Sequence, residues 1–182
     1  MAITSYLYQI LISLKKKELI SFGKTDSILE IGEQNWYGDV SFQDLKKTID
    51  NYSDSKNKEI LDRELNEITT LTELGKDPKT FAYDLAKLFY RAIFDYKEYL
   101  ALDLQGTEHS INFDLNNEYK DAKKYDVVTN IGTSEHIFNQ LAVFKTIHNL
   151  ITAGGIIIHQ LPGQGFYDHG FYNYQPTFFF DL

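Results

Sequence analysis

Residues 28–34 read Ile-Leu-Glu-Ile-Gly-Glu-Gln. Apolar residues around one acid, closed by a glycine, predict a short buried strand running into a tight turn. A glycine there lets the backbone bend sharply and lets a ligand approach it closely. In open α/β sheets, ligands bind beside such strand ends. The stretch therefore predicts both a fold class and the edge of a site.

On the amino-terminal side, the spacing predicts a helix over 4–20, with Tyr6, Leu7, Ile10, Leu11, Leu14 and Leu19 on one stripe and Gly23 as its end. The first strand spans about 27–31. More than 60 residues with a helical pattern separate it from the next, near 98–104. Ser41 can cap a helix to about Tyr52, and Leu61, Leu65, Ile68 and Leu71 share the face of a second, which Gly75 stops. Asp77-Pro78 opens a third, as cap and first helical residue, with Phe81, Leu85, Leu88, Ala92 and Tyr96 on its buried side. One helix suffices for a βαβ crossover, so residues 39–97 contain a helical insertion, either covering a crevice or purely structural. Strands at 110–113, 125–130 and 155–161 follow, with a helix from Ser134 to about Leu150. Alternating strands and helices predict a Rossmann-like, doubly wound, mostly parallel α/β sheet within a single domain over 1–182.

Composition narrows the function. The 182 residues are 43% hydrophobic, enough for a packed core, and contain no cysteine, which excludes disulfides and thiol chemistry. Twenty-six acids against 18 bases give a net charge of −8, which disfavours nucleic acid as a partner. Lys15-Lys16-Lys17 is a compact basic run, a solvated helix face or a membrane-surface contact. The apolar stretch Tyr6 to Leu14 is too short to span a bilayer, and its lysines follow it rather than precede it. A soluble cytoplasmic protein is expected.

In order, 28-ILEIGEQ-34, Asp103, Asp114, 125-YDVVTNIGTSEH-136 and 154-GGIIIHQLP-162 resemble the class I S-adenosylmethionine-dependent methyltransferases. The resemblance covers about 27–182 and implies strand order 3-2-1-4-5. It lacks the family's last helix and antiparallel strand pair, and the chain closes on Thr177-Phe178-Phe179-Phe180-Asp181-Leu182. This apolar end suggests self-association or a partner over that edge.

The resemblance also implies a cofactor site for S-adenosyl-L-methionine. Glu30 and Gly32 match the first motif, where Gln34 and Trp36 stand at later glycine positions and Gly38 comes afterwards. Asp103 matches the acid that accepts from both ribose hydroxyls, and a carboxylate suits that task. Asp114 matches the acid near the adenine amino group; for both aspartates the alternative is a loop or helix-capping role. Asn130 and Gly132, at the fourth strand's exit, would pass the methionine half. His136 follows Glu135 as in many members, and 159-HQLPGQGFYDHGFYNYQP-176 suits a small acceptor's pocket. There Asp168-His169 could form an oriented base or simply a turn. His169 and His136 are the candidate catalytic residues.

The fourth strand is not followed by Asn/Asp-Pro-Pro-aromatic, which disfavours nucleic-acid amino methylation. The five histidines show no metal-binding spacing, so no metal is expected. The expected activity is methyl transfer to a small acceptor, a hydroxyl or carboxyl such as one on a sugar. Two alternatives stand beside it. One is a non-catalytic methyltransferase-like binding module. The other is a nicotinamide-dependent oxidoreductase, which expects G-x-G-x-x-G and an acid about 20 residues later, neither of which is present.

Overall fold

The computed structural model describes residues 2–18 and 26–181. Leu19 and Gly23, expected to extend and end the first helix, lie outside the described residues. The chain divides into two compact units, residues 27–33 with 99–182, and residues 2–26 with 34–98.

In chain order the strands are β1 (Ala2–Ile3), β2 (Ser27–Ile31), β3 (Asn35–Trp36), β4 (Glu98–Asp103), β5 (Ser110–Asn112), β6 (Tyr125–Ile131) and β7 (Ile151–Gln160). The helices are α1 (Ser5–Lys16), α2 (Phe42–Tyr52), α3 (Ser55–Glu73), α4 (Ala82–Phe94), α5 (Gln140–Leu150) and α6 (Pro176–Asp181).

The first unit holds a five-stranded parallel sheet in the order β5-β4-β2-β6-β7. These labels differ from 3-2-1-4-5 because the chain forms seven strands, β1 and β3 making a separate parallel pair. β2 lies inside the sheet, and all five of its residues are buried, as the near-continuous apolar run of a central parallel strand requires. Ile28 to Ile31 align with Val127 to Asn130 of β6. Leu29, Ile31, Leu102 and Val128 form one core with Val143, Phe144, Ile147 and Leu150 of α5.

Within this unit, α5 and β7 begin elsewhere than the sequence reading placed them. The helix expected from Ser134 to Leu150 is broken: residues 134–136 form a 3-10 turn, Ile137 is extended, and α5 starts at Gln140. Asn139 accepts from the Ala142 amide and so caps a new helix. β7 begins at Ile151 rather than 155, but its register with β6 breaks between Ile151 and Ile156. Gly155 sits in that irregularity, where a Cβ would come 2.9 Å from the Asp126 carbonyl.

The second unit is mainly helical. Ser41 caps α2 through the Asp44 amide, and Asp54 caps α3 through Asn57. Asp77 accepts from the Lys79 amide and opens a 3-10 turn, Pro78–Phe81, that leads into α4. α1 stops at Lys16, short of the expected 20. Lys15 is no solvated lysine: its ammonium donates to the Ile93 carbonyl at 2.8 Å, in the last turn of α4. Burial holds its pKa below the usual lysine range. Trp36 is buried and packs on Phe89 at 5.6 Å, a core role. No described helix is long and apolar enough to cross a membrane.

Candidate functional site

The exits of β2 and β4 are joined by a carboxylate network. Gly32 takes φ 80°, in the left-handed region that glycine enters without strain, and its amide donates to the Leu102 carbonyl at 2.8 Å. Asp103 accepts from the Glu33 amide through Oδ2 and from the Gln105 amide through Oδ1, both at 2.8 Å. Glu33, only 2% exposed, accepts from the Thr107 amide at 2.6 Å and the Thr107 hydroxyl at 2.7 Å. Gly106 lets that loop close: a Cβ would stand 2.7 Å from Glu33 Oε2 and closer still to Ser110 Oγ. Sequence reading missed Glu33; a second acid straight after the strand-ending glycine was the available signal.

Glu30 is buried inside the sheet, where it accepts from the hydroxyls of Tyr99 and Thr129. It therefore ties neighbouring strands. Asp114 is exposed and accepts from the amide and side chain of Asn116, bonds that hold its carboxyl below the usual carboxylate range. Gln34 and Gly38 belong to the other unit. Gln34 is buried, and Gly38, at φ 99°, lines a 360 Å³ pocket with Trp36, Tyr37, Asp77, Pro78 and Lys79.

The exit of β6 is built differently. Gly132, at φ 62°, donates its amide to the Gln160 carbonyl, and the Thr133 hydroxyl donates to the Ile31 carbonyl of β2. Asn130 is fully buried, accepting from the Ser134 amide and donating to the Ser134 hydroxyl. These bonds fix the turn that carries Glu135 and His136. The loop after β7 packs onto it, with the Phe171 amide donating to the Glu135 carbonyl at 2.8 Å. Gly170 allows this contact, because a Cβ there would approach Glu135 Cγ to 2.9 Å.

The consequence is a three-residue cluster. Glu135 is fully buried, with His169 Nε2 at 3.3 Å and His136 Nε2 at 3.8 Å from its Oε1. Neither carboxylate oxygen makes a hydrogen bond. Both imidazoles are about half exposed, and their ring centroids are 5.4 Å apart. Of the two readings of Asp168-His169, the turn is the one observed: Asp168 sits at φ 54°, and His169 meets Glu135 rather than Asp168. The two histidines converge on one carboxyl group.

On β7, burial against Phe144 and Phe179 pushes the His159 pKa down to about 4. At the end of the chain, Phe178 packs on Phe144 at 4.9 Å, while Phe180 is 88% exposed. No protein-family model, curated protein or solved structure matches the chain.

Proposed function

We propose that the chain is an S-adenosylmethionine-dependent methyltransferase acting on a small acceptor. In this reading β2, β4, β5, β6 and β7 are the first to fifth strands of a Rossmann-like core, in order 3-2-1-4-5. The observation that carries the reading is the succession of Gly32, Asp103 and Asp114 just at or beyond the carboxyl ends of β2, β4 and β5, neighbouring strands of one parallel sheet. Ligands of open α/β sheets bind in the crevice outside the carboxyl ends of the strands, next to the switch point, which here lies between β2 and β6. Asp103 keeps acceptor capacity, because a carboxylate offers about four lone-pair sites and two are taken. Glu33 and Glu30 shape the site rather than touch the cofactor.

The sulfonium already activates the methyl group, so the protein's task is in-line positioning. A hydroxyl acceptor must also lose its proton, and we assign the Glu135-His136-His169 cluster to that side of the reaction. His169→Ala should lower turnover by about 10²–10⁴ and leave cofactor affinity nearly unchanged.

A non-catalytic binding module is the second reading. It is favoured by the bonds that already occupy both Asp103 oxygens and by Gln34 and Trp36 at positions where the motif expects glycine. Calorimetry with S-adenosylhomocysteine tests the cofactor reading. Binding should occur, and Asp103→Ala should weaken it by about 1.5–3 kcal/mol, the range for charge-assisted hydrogen bonds. A folded protein that does not bind contradicts it.

A further inference from the structure

We propose that Glu135, His136 and His169 form a binding site for one divalent transition-metal ion. The three side chains each present one donor atom, all within 4.8 Å of one another. Glu135 is fully buried, yet neither of its oxygens accepts a hydrogen bond. Among buried carboxylates this is exceptional, since a buried charge is paired, hydrogen-bonded or coordinated to a metal. Glu33 and Glu30 of the same unit follow that rule with donors from Thr107, Tyr99 and Thr129. Two imidazole Nε2 atoms approach Glu135 Oε1 instead, at 3.3 and 3.8 Å.

Those separations suit a shared cation. Metal–nitrogen and metal–oxygen bonds of about 2.0–2.2 Å place neighbouring donors roughly 3–3.6 Å apart around one ion. The separations to Oε1 need only a small closure. Two nitrogens and one carboxylate favour zinc or another first-row ion over magnesium or calcium, which prefer all-oxygen shells. Both imidazoles are 48% exposed, so the outer side remains open to water or an acceptor oxygen, as in catalytic rather than structural sites.

The cluster is also rigidly supported. The Asn130–Ser134 bonds fix the turn from β6, and the Phe171 amide with Gly170 fixes the loop bearing His169. Sequence spacing could not show the site, because its third ligand, His169, is far along the chain from Glu135 and His136. With an ion bound, both Nε2 lone pairs would be used in ligation.

The site does not depend on the methyl-transfer reading, and its test reads metal alone. The full chain, stripped with a chelator, is titrated with Zn²⁺ by calorimetry and with Co²⁺ by visible absorption. One ion should bind per chain, with cobalt bands of nitrogen and oxygen ligation. Glu135→Gln and His169→Ala, each shown folded by circular dichroism, should each weaken binding by more than the roughly 10–100-fold that losing an outer-shell partner costs. A His109→Ala/His148→Ala variant should bind like the parent. Absence of binding overturns the proposal, as does unchanged affinity in Glu135→Gln or His169→Ala. S-adenosylhomocysteine binding by a chain that takes no metal would sink this site while leaving the cofactor reading intact.

Discussion

Glu33 and Glu135 are both buried acids just beyond strands of one sheet, yet they are in opposite states. Glu33 has its charge answered by an amide and a hydroxyl of Thr107, so its loop is finished as soon as the chain folds. Glu135 has no hydrogen bond on either oxygen and faces two imidazoles. The first arrangement stabilises; the second leaves a buried carboxyl facing two imidazoles. Burial alone does not distinguish them. The donors do.

Substitutions should hurt most where the charge is already answered. Glu33→Ala would leave the Thr107 amide without its acceptor and should destabilise the chain by about 3 kcal/mol in urea unfolding, the scale for losing hydrogen bonds to a buried charge. Gly106→Ala should cost about 2 kcal/mol, because the new methyl group overpacks against Glu33 and Ser110. A loss below about 0.5 kcal/mol in either, the size of effect usual for neutral surface changes, would mean that the loop is looser than its bonds imply.

On β7 the expected response is to pH. His159 has a folded pKa of about 4 against an ordinary 6.5, because burial disfavours its charged form. Below about 6.5 the unfolded chain takes up the proton first. Stability is therefore complete above that pH and falls as pH drops toward 4. Partial solvent contact reduces the effect to about 1–2 kcal/mol. His159→Phe should flatten this part of the stability profile. Ser41→Ala, in the other unit, should cost about 1 kcal/mol through the lost helix cap. The smallest change is expected at the unanswered acid itself. Glu135→Gln in metal-free protein should cost less than about 1 kcal/mol or stabilise the fold, since it removes no hydrogen bond and puts a neutral amide in place of a buried carboxyl.

Local signals were legible in the sequence where one residue has one role. Ser27–Ile31 is the strand that its apolar run predicts, and Ser41 and Asp77 cap where their side chains suggest. The break at residues 137–139 was hidden because Ile137 and Phe138 continue an apolar helical pattern, whereas Asn139 supplies the competing cap. The β1–β3 pair is two residues on each side, too short for periodicity to show. Within the candidate site, Gly32, Asp103 and Gly132 could be found from strand ends. The partnership of His169 with Glu135 could not, because the adjacent Asp168 is the obvious carboxylate and only the loop's path around Gly170 selects the distant one.

A cofactor seated against the β2 and β4 exits would shield the backbone amides there from solvent. Hydrogen exchange read by mass spectrometry, with and without saturating S-adenosylhomocysteine, detects that shielding directly. Exchange should slow in residues 30–34 and 103–107 when the ligand is present, and Asp103→Ala should raise the ligand concentration needed for that protection in line with its loss of about 1.5–3 kcal/mol. Unchanged exchange in both segments, at ligand concentrations that saturate known binders of this kind, would contradict a cofactor site at these strand ends.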